Sequence, residues 1–164
     1  DSIDCAVMRL SSLFSKQGSL DYIGEPISIA QHSFQAAILA AKSDSSTIQV
    51  AALLHDVGHL LGLEAELPPG MDGCGTPDHE GIAARFLVKL GFPYAITHLV
   101  ANHVNAKRFL CAADSAYCNA LTEASKTSLR FQGGPMATYE ARAFRADPHC
   151  DAILRMRVLD EAAK

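Results

Sequence analysis

Residues 51–60, AALLHDVGHL, constrain this chain more than any other stretch. Two histidines and an aspartate stand inside an otherwise apolar run whose Val50, Leu54, Val57 and Leu61 recur at helical spacing. A helix with that stripe faces a core, and a charge carried into a core is costly unless it is paired or bound to a metal. Residues i and i+4 share a helix face, whereas neighbours diverge by about 100°. His59 therefore projects from the face of His55. His55 and Asp56 converge on one point if the helix meets it nearly side-on. Gly58 costs about 1 kcal/mol in a helix interior relative to Ala, which implies the close approach of a neighbouring helix or ligand.

The rest of the 164 residues reads as helices joined by turn-rich loops. Ile3, Val7, Leu10 and Phe14 make 3–16 an amphipathic helix ending near Gly18. Gly24 and Pro26 mark 20–28 as a loop, and 29–42 forms the next helix. SDSS at 43–46 supplies N-caps for a helix over 47–61. The Gly- and Pro-rich stretch 62–77 is a long loop of the kind that forms lids and site walls. Asp78 is the expected cap of a helix through Leu90, Gly91 closes it, and Pro93 opens another that runs to about Cys111. Further helices are predicted at 115–131, 138–146 and 149–163, with a turn at 132–135. No convincing alternating strand is present, so the expected class is all-α, in one domain.

Composition excludes some functions. A formal charge of −4 argues against general nucleic-acid or membrane-surface binding while leaving room for a local basic pocket. No apolar run approaches the ~18–20 residues of a membrane span, and Asp1-Ser2-Ile3 does not begin a signal peptide. Cys5, Cys74, Cys111, Cys118 and Cys150 lack CxxC spacing and read as reduced thiols, which fits a cytoplasmic protein. Nothing in the sequence dictates an oligomeric state.

Other ligand candidates sit on other predicted helices: His32 in IAQHSFQAA, His79 in PDHEGIAARF, His103 in LVANHVNAKRF and Asp160 in RMRVLDEAAK. Imidazole and carboxylate without thiolate suit Fe, Mn or Zn. Six ligands (His32, His55, Asp56, His79, His103, Asp160) suffice for two ions, with Asp56 as the natural bridge because a carboxylate has two oxygens. His98 and His149 stay unassigned, a lone histidine on an apolar face being more often a satisfied core residue.

The order His…His-Asp…Asp resembles the HD superfamily, an all-α metal-binding fold. More narrowly, LDYIGEPISIAQHSFQAA, AALLHDVGHL, HVNAKRFL, LRFQGGPM and RMRVLDE are similar to the HD-domain mixed-valence diiron oxygenases that cleave carbon–phosphorus bonds, over about residues 20 to 162. The resemblance implies an HD-domain helical bundle, one domain over 1–164, and two irons in the mixed-valence Fe(II)/Fe(III) state with O2 as co-substrate. It implies oxidation of a small organophosphonate, 2-amino-1-hydroxyethylphosphonate or its N-trimethylated analogue, to glycine or betaine and inorganic phosphate. His32, His55, Asp56 and Asp160 would hold one iron, and His79, His103 and the bridging Asp56 the other. Tyr22 matches a tyrosine that occupies an iron position until substrate arrives, and Glu25 a glutamate that moves with it and receives the amino end. With His59 these are the expected catalytic residues. Phosphonate contacts are implied for His59, Lys107, Ser125, Ser128, Gln132 and Arg157. Ser128 stands where the family has threonine, and the loop 62–77 is the least similar part.

The residues agree with this in their chemistry. Lys107 lies four residues after His103 and Arg157 three before Asp160, so each cation shares a helix face with a proposed ligand. Two other readings stay open. An HD-type phosphohydrolase of a nucleotide or phosphate ester would use metal-activated water and leave His79, His103 and Tyr22 idle. A noncatalytic HD signalling or scaffold domain would need no complete ligand set.

Overall fold

Helix caps and small-residue faces set most of the architecture. The computed structural model describes residues 2–22 and 24–164; Asp1, and Ile23 of the DYIGE segment, lie outside them. The first helix, α1 (Ser2–Gln17), turns Leu13 into the core. The following loop is closed by an isolated bridge between Asp21 and Ser28. Ser28 then starts α2 (Ile29–Ala41) with a reciprocal capping box: its hydroxyl accepts from the Gln31 amide, and its own amide donates to Gln31 Oε1 at 2.9 Å. Ser45 caps α3 (Ser46–Leu54) through the Ile48 amide.

The predicted helix over 47–61 is two helices. It breaks at His55-Asp56 and resumes as α4 (Val57–Glu64), with Asp56 at φ −103°, ψ 8°, the sparsely populated bridge region favoured at many active sites. A 3₁₀ turn at Met71–Gly73 lies in the long loop before α5 (His79–Lys89) and α6 (Tyr94–Ala113). Asp78 stands at the N-cap of α5 but does not cap with its side chain. It is left-handed at φ 55°, and its carboxylate accepts from Arg85 instead. The predicted helix over 115–131 is also two, α7 (Ser115–Ala120) and α8 (Glu123–Phe131). The second starts where Thr122 accepts from the Ser125 amide. The chain closes with α9 (Thr138–Arg145) and α10 (Cys150–Ala162).

Among the described residues these ten α-helices are accompanied by no strand. Helix α6 is the hub, packed on α3, α5 and α10, while α2 lies along α3. Ala36, Ala40, Ala51 and Ala52 are fully buried and let helices approach closely around Leu87, Leu99, Val100 and Ile153. Arg155 reaches from α10 to Asp44 before α3 at 2.8 Å, and Arg108 on α6 holds Glu140 on α9 at 2.9 Å. Among the described residues no helix is long and apolar enough to cross a membrane.

Candidate metal centre and substrate cavity

Six helices or their ends bring imidazoles and carboxylates to one buried place. His32 comes from α2, His55 and Asp56 from the α3–α4 break, His79 from the first turn of α5, His103 from α6 and Asp160 from α10. All six are at most 5% exposed. The break explains how adjacent His55 and Asp56 face the same point: the chain turns between them, and His55 Nε2 lies 3.2 Å from Asp56 Oδ2. Gly58 permits the meeting of α4 with α5, because a Cβ there would lie 1.9 Å from the His79 carbonyl oxygen.

The two oxygens of Asp56 serve two groups. Oδ2 faces His32 at 3.4 Å and His55 at 3.2 Å; Oδ1 faces His79 at 3.4 Å and His103 at 3.5 Å. Asp160 Oδ1 joins the first group, 3.2 Å from His32 Nε2 and 3.7 Å from His55 Nε2.

Hydrogen bonding shows that these residues suit cations. His32, His55 and His103 each donate Nδ1–H to a backbone carbonyl, of Ala163, Ala52 and Val100. With the proton on Nδ1, Nε2 carries a lone pair. Yet His32 Nε2 and His55 Nε2 stand 3.1 Å apart; His103 Nε2 stands 3.0 Å from Nε2 of His79, whose Nδ1 is buried without a hydrogen-bond partner. Lone pairs aimed at each other repel unless a positive charge lies between them, and carbonyl-anchored imidazoles are the usual form of metal ligands. Asp56 Oδ2 and Asp160 Oδ1 are buried without a hydrogen-bond donor, as carboxylates awaiting a metal are. Burial pulls the His55 imidazole down, but Asp56 and Asp160 outweigh it and raise it to about 10. Burial opposes ionisation of Asp56 and Asp160, yet the cationic groups around them hold both well below the usual carboxylate range. The site demands positive charge.

His59 differs from its neighbours. Its Nδ1 accepts the Thr76 amide at 3.1 Å, so the proton sits on Nε2, which points toward the cavity as a donor. Its ring stacks on His79 at 4.0 Å, and burial and the His79 ring hold it neutral, well below its ordinary pKa. His59, Asp56 and His79 are near enough to surround an ion, but the tautomer favours His103 over His59 as the ligand.

Facing this cluster is a cavity of about 50 Å³ of free volume. Lys107 donates to Ser128 Oγ at 2.9 Å, and Lys164 to Ser125 Oγ at 2.7 Å. Arg157 donates to Asp160 Oδ2 at 2.5 Å and to the Tyr117 hydroxyl at 3.1 Å. Burial, with Arg157 and Lys164 alongside, lowers the Lys107 amine to about 7. Three basic side chains crowded around one cavity suit a compact dianion in their chemistry. In the same lining Glu25 Oε1 is buried with no donor, as is Gln132 Oε1. Tyr22 stacks on His32 at 4.2 Å, and burial together with Asp56 and Asp160 pushes its phenol well above the ordinary value.

The cavity is thus lined by every residue singled out in the sequence except His32 and His55, which stand behind it. Sequence reasoning missed Lys164, Met71 and Cys74, which also line it, and Tyr117, which braces Arg157. Lys164 follows a charged helix and carried no periodic signal. Met71 turns its side chain inward from a left-handed backbone, φ 50°, which apolar patterning does not reveal.

An all-α bundle that gathers histidines and aspartates at a helix break is an HD-type metal protein. The chain belongs to the HD-domain family, which matches residues 29–147. Within it the chain groups with phosphonate dioxygenases. It is 40% identical over 156 residues to the 1-hydroxy-2-(trimethylamino)ethylphosphonate dioxygenase (glycine-betaine-forming) of Leisingera caerulea, covering 94% of this chain and 78% of that one. It is 33% identical over 159 residues to the hydroxymethylphosphonate dioxygenase of Gimesia maris, covering 95% and 78%. An uncharacterized protein of Acanthamoeba polyphaga mimivirus is 35% identical over 159 residues, 96% of this chain and 72% of its own. The family match ends at Asp147, whereas Arg157 and Asp160 reach the site from α10.

Proposed function

We propose that this protein is a diiron dioxygenase, one HD domain over 1–164, that cleaves the C–P bond of a small 1-hydroxyphosphonate. The observation that carries the proposal is the pairing of a divided His/Asp cluster with Lys107, Arg157 and Lys164 around one cavity. Each product holds one oxygen more than its half of the substrate: R–CH(OH)–PO3²⁻ + O2 → R–COO⁻ + H2PO4⁻. O2 therefore supplies both added atoms, and no further reductant is needed.

His32, His55, Asp160 and Asp56 Oδ2 would hold one iron, and His79, His103 and Asp56 Oδ1 the other. Mixed-valence iron supplies dioxygen activation and the oxidation of C1. The chain's residues do the rest. Lys107, Arg157 and Lys164 neutralise the phosphonate, and Ser125, Ser128, Gln132 and the His59 Nε2–H orient it. Glu25 meets a cationic end on the 2-amino or N-trimethylated substrate. Tyr22 covers the His32 side until the substrate takes its place.

The test is anaerobic iron quantification followed by O2 uptake with 2-amino-1-hydroxyethylphosphonate, its trimethylated analogue and hydroxymethylphosphonate in turn. Two irons per chain and phosphate released one-for-one with O2 are expected. No O2 uptake with any of the three, together with anaerobic phosphate release from a nucleotide or phosphate ester, would replace this reading with the phosphohydrolase.

A further inference from the structure

Of the seven histidines, five gather at the candidate metal centre; the other two, His98 and His149, meet elsewhere with Asp147. His98 projects from α6, and Asp147 and His149 lie in the turn that leads into α10. His98 Nε2 is 2.6 Å from Asp147 Oδ2, and His149 Nδ1 is 3.5 Å from Asp147 Oδ1. The rings of His98 and His149 are 5.2 Å apart and nearly edge to face. One ligand atom from each residue lies within 4.8 Å of the other two.

The three half-buried side chains form a site of their own. In a tetrahedral zinc site with bonds of ~2.0–2.2 Å, ligand atoms stand about 3.3 Å apart. The two imidazoles approach different oxygens of Asp147, at 2.6 and 3.5 Å, and since one ligand atom of each residue already lies within 4.8 Å of the others, side-chain adjustments of about 1–1.5 Å would seat an ion. Two imidazoles and a carboxylate with a fourth position open to water form the ligand set of exposed zinc sites.

Polar groups hold the His98 ring in place. The Tyr94 hydroxyl lies 3.0 Å and the Asn102 side-chain amide 3.4 Å from His98 Nδ1, and the Tyr94 ring stacks on the imidazole at 4.8 Å, so Nε2 faces Asp147. An ion there would take the place of the Nε2 proton, with Nδ1–H then given to the Tyr94 oxygen. The His149 amide donates to Asp147 Oδ1 at 2.7 Å. Burial opposes ionisation of Asp147, but that amide and the His98 ring keep its carboxyl below the ordinary range.

We infer that His98, Asp147 and His149 form a second, independent site for one divalent zinc-like cation, which pins α6 to the turn before α10. That turn starts the helix that carries Arg157 and Asp160, so the ion would brace the substrate cavity without entering it.

The test uses protein already loaded with iron, titrated anaerobically with Zn²⁺ and then desalted for metal analysis. One zinc per chain is expected with the iron content unchanged, and at a hundredfold excess over Kd the Tm rises by about 5–10 °C. His98→Gln and His149→Gln each weaken zinc binding at least tenfold, and Tyr94→Phe, which removes only the orienting hydroxyl, weakens it about tenfold. Zinc uptake only in exchange for iron would overturn the inference. So would equal zinc affinity in wild type and in the properly folded His149→Gln protein.

Discussion

Gly58→Ala is the sharpest test of how the fold positions the metal centre. A Cβ at residue 58 would lie 1.9 Å from the His79 carbonyl oxygen and 2.8 Å from His79 Cα. An ordinary carbon–oxygen contact is about 3.3 Å, so α4 and the first turn of α5 must part by about 1.4 Å. Both contacts are backbone, and no rotamer change relieves them. Ala regains about 1 kcal/mol of helix propensity over Gly, while overpacking of this kind costs about 1–3 kcal/mol. The net loss is then at most about 2 kcal/mol, or roughly 4–8 °C in Tm, and the fold survives. The site does not tolerate the change so well, because ligands must be held within about 0.5 Å of their working geometry. Iron per chain should fall from two toward one as His79 withdraws, and turnover should drop by about 100-fold or more. Circular dichroism, iron analysis and O2 uptake on one preparation separate these effects. Gly62→Ala serves as the contrast: its Cβ meets the Thr76 side chain, whose amide holds His59, so iron stays and substrate binding weakens. A Gly58→Ala protein with two irons and wild-type turnover would refute the account of His79 placement.

Three further outcomes follow from the same geometry. His59→Asn keeps an acceptor for the Thr76 amide but deletes the Nε2 donor; iron should remain at two per chain while KM rises about 10-fold or more, whereas loss of iron would make His59 a ligand. Lys107, lowered to about 7 by burial and neighbouring cations, sheds its proton on folding between about pH 7 and 10. Substrate-free stability therefore rises with pH in that window, while affinity for a dianion falls above pH 7; Lys107→Ala should flatten both slopes in urea titrations and kcat/KM profiles. Chelation leaves Asp56 Oδ2 and Asp160 Oδ1 buried and unpartnered. A metal present at a thousandfold its Kd contributes about 4 kcal/mol, so scanning calorimetry should show the metal-free protein melting roughly 8–16 °C lower.

Periodicity was sufficient for α1, α2, α5, α6 and α10, because each carries an apolar stripe bounded by a cap, glycine or proline. It failed at two interior breaks. Leu54, Val57 and Leu61 continue one stripe straight through the α3–α4 break, and no glycine or proline precedes Asp56. The turn is held by tertiary packing, including the contact between Gly58 and His79. Likewise Thr122 ends one helix and caps the next without leaving the apolar pattern. Gly58 was readable as a close approach because glycine in a helix interior carries a cost that something must offset. Covering of the Lys164 side chain was not readable, since only the three-dimensional convergence of α8 and the end of α10 encloses it.

The roles of the histidines show where spacing stops being informative. His55 and His59 stand one turn apart in the sequence and both end up buried beside Asp56. What separates them is the backbone group that meets Nδ1. A carbonyl takes a proton from Nδ1 of His32, His55 and His103 and leaves Nε2 free to ligate; an amide gives a proton to Nδ1 of His59 and leaves Nε2–H free to donate. The Thr76 amide comes from the loop between α4 and α5, and Gly62 leaves just enough room for Thr76 to sit there. That loop, the part of the chain with the least helical pattern, therefore leaves one imidazole as an Nε2–H donor, and in the proposed function that donor serves the substrate while the other four would hold the metals. A ligand motif can be read from residue order, but the division between ligand and donor is written in the loop that packs behind it.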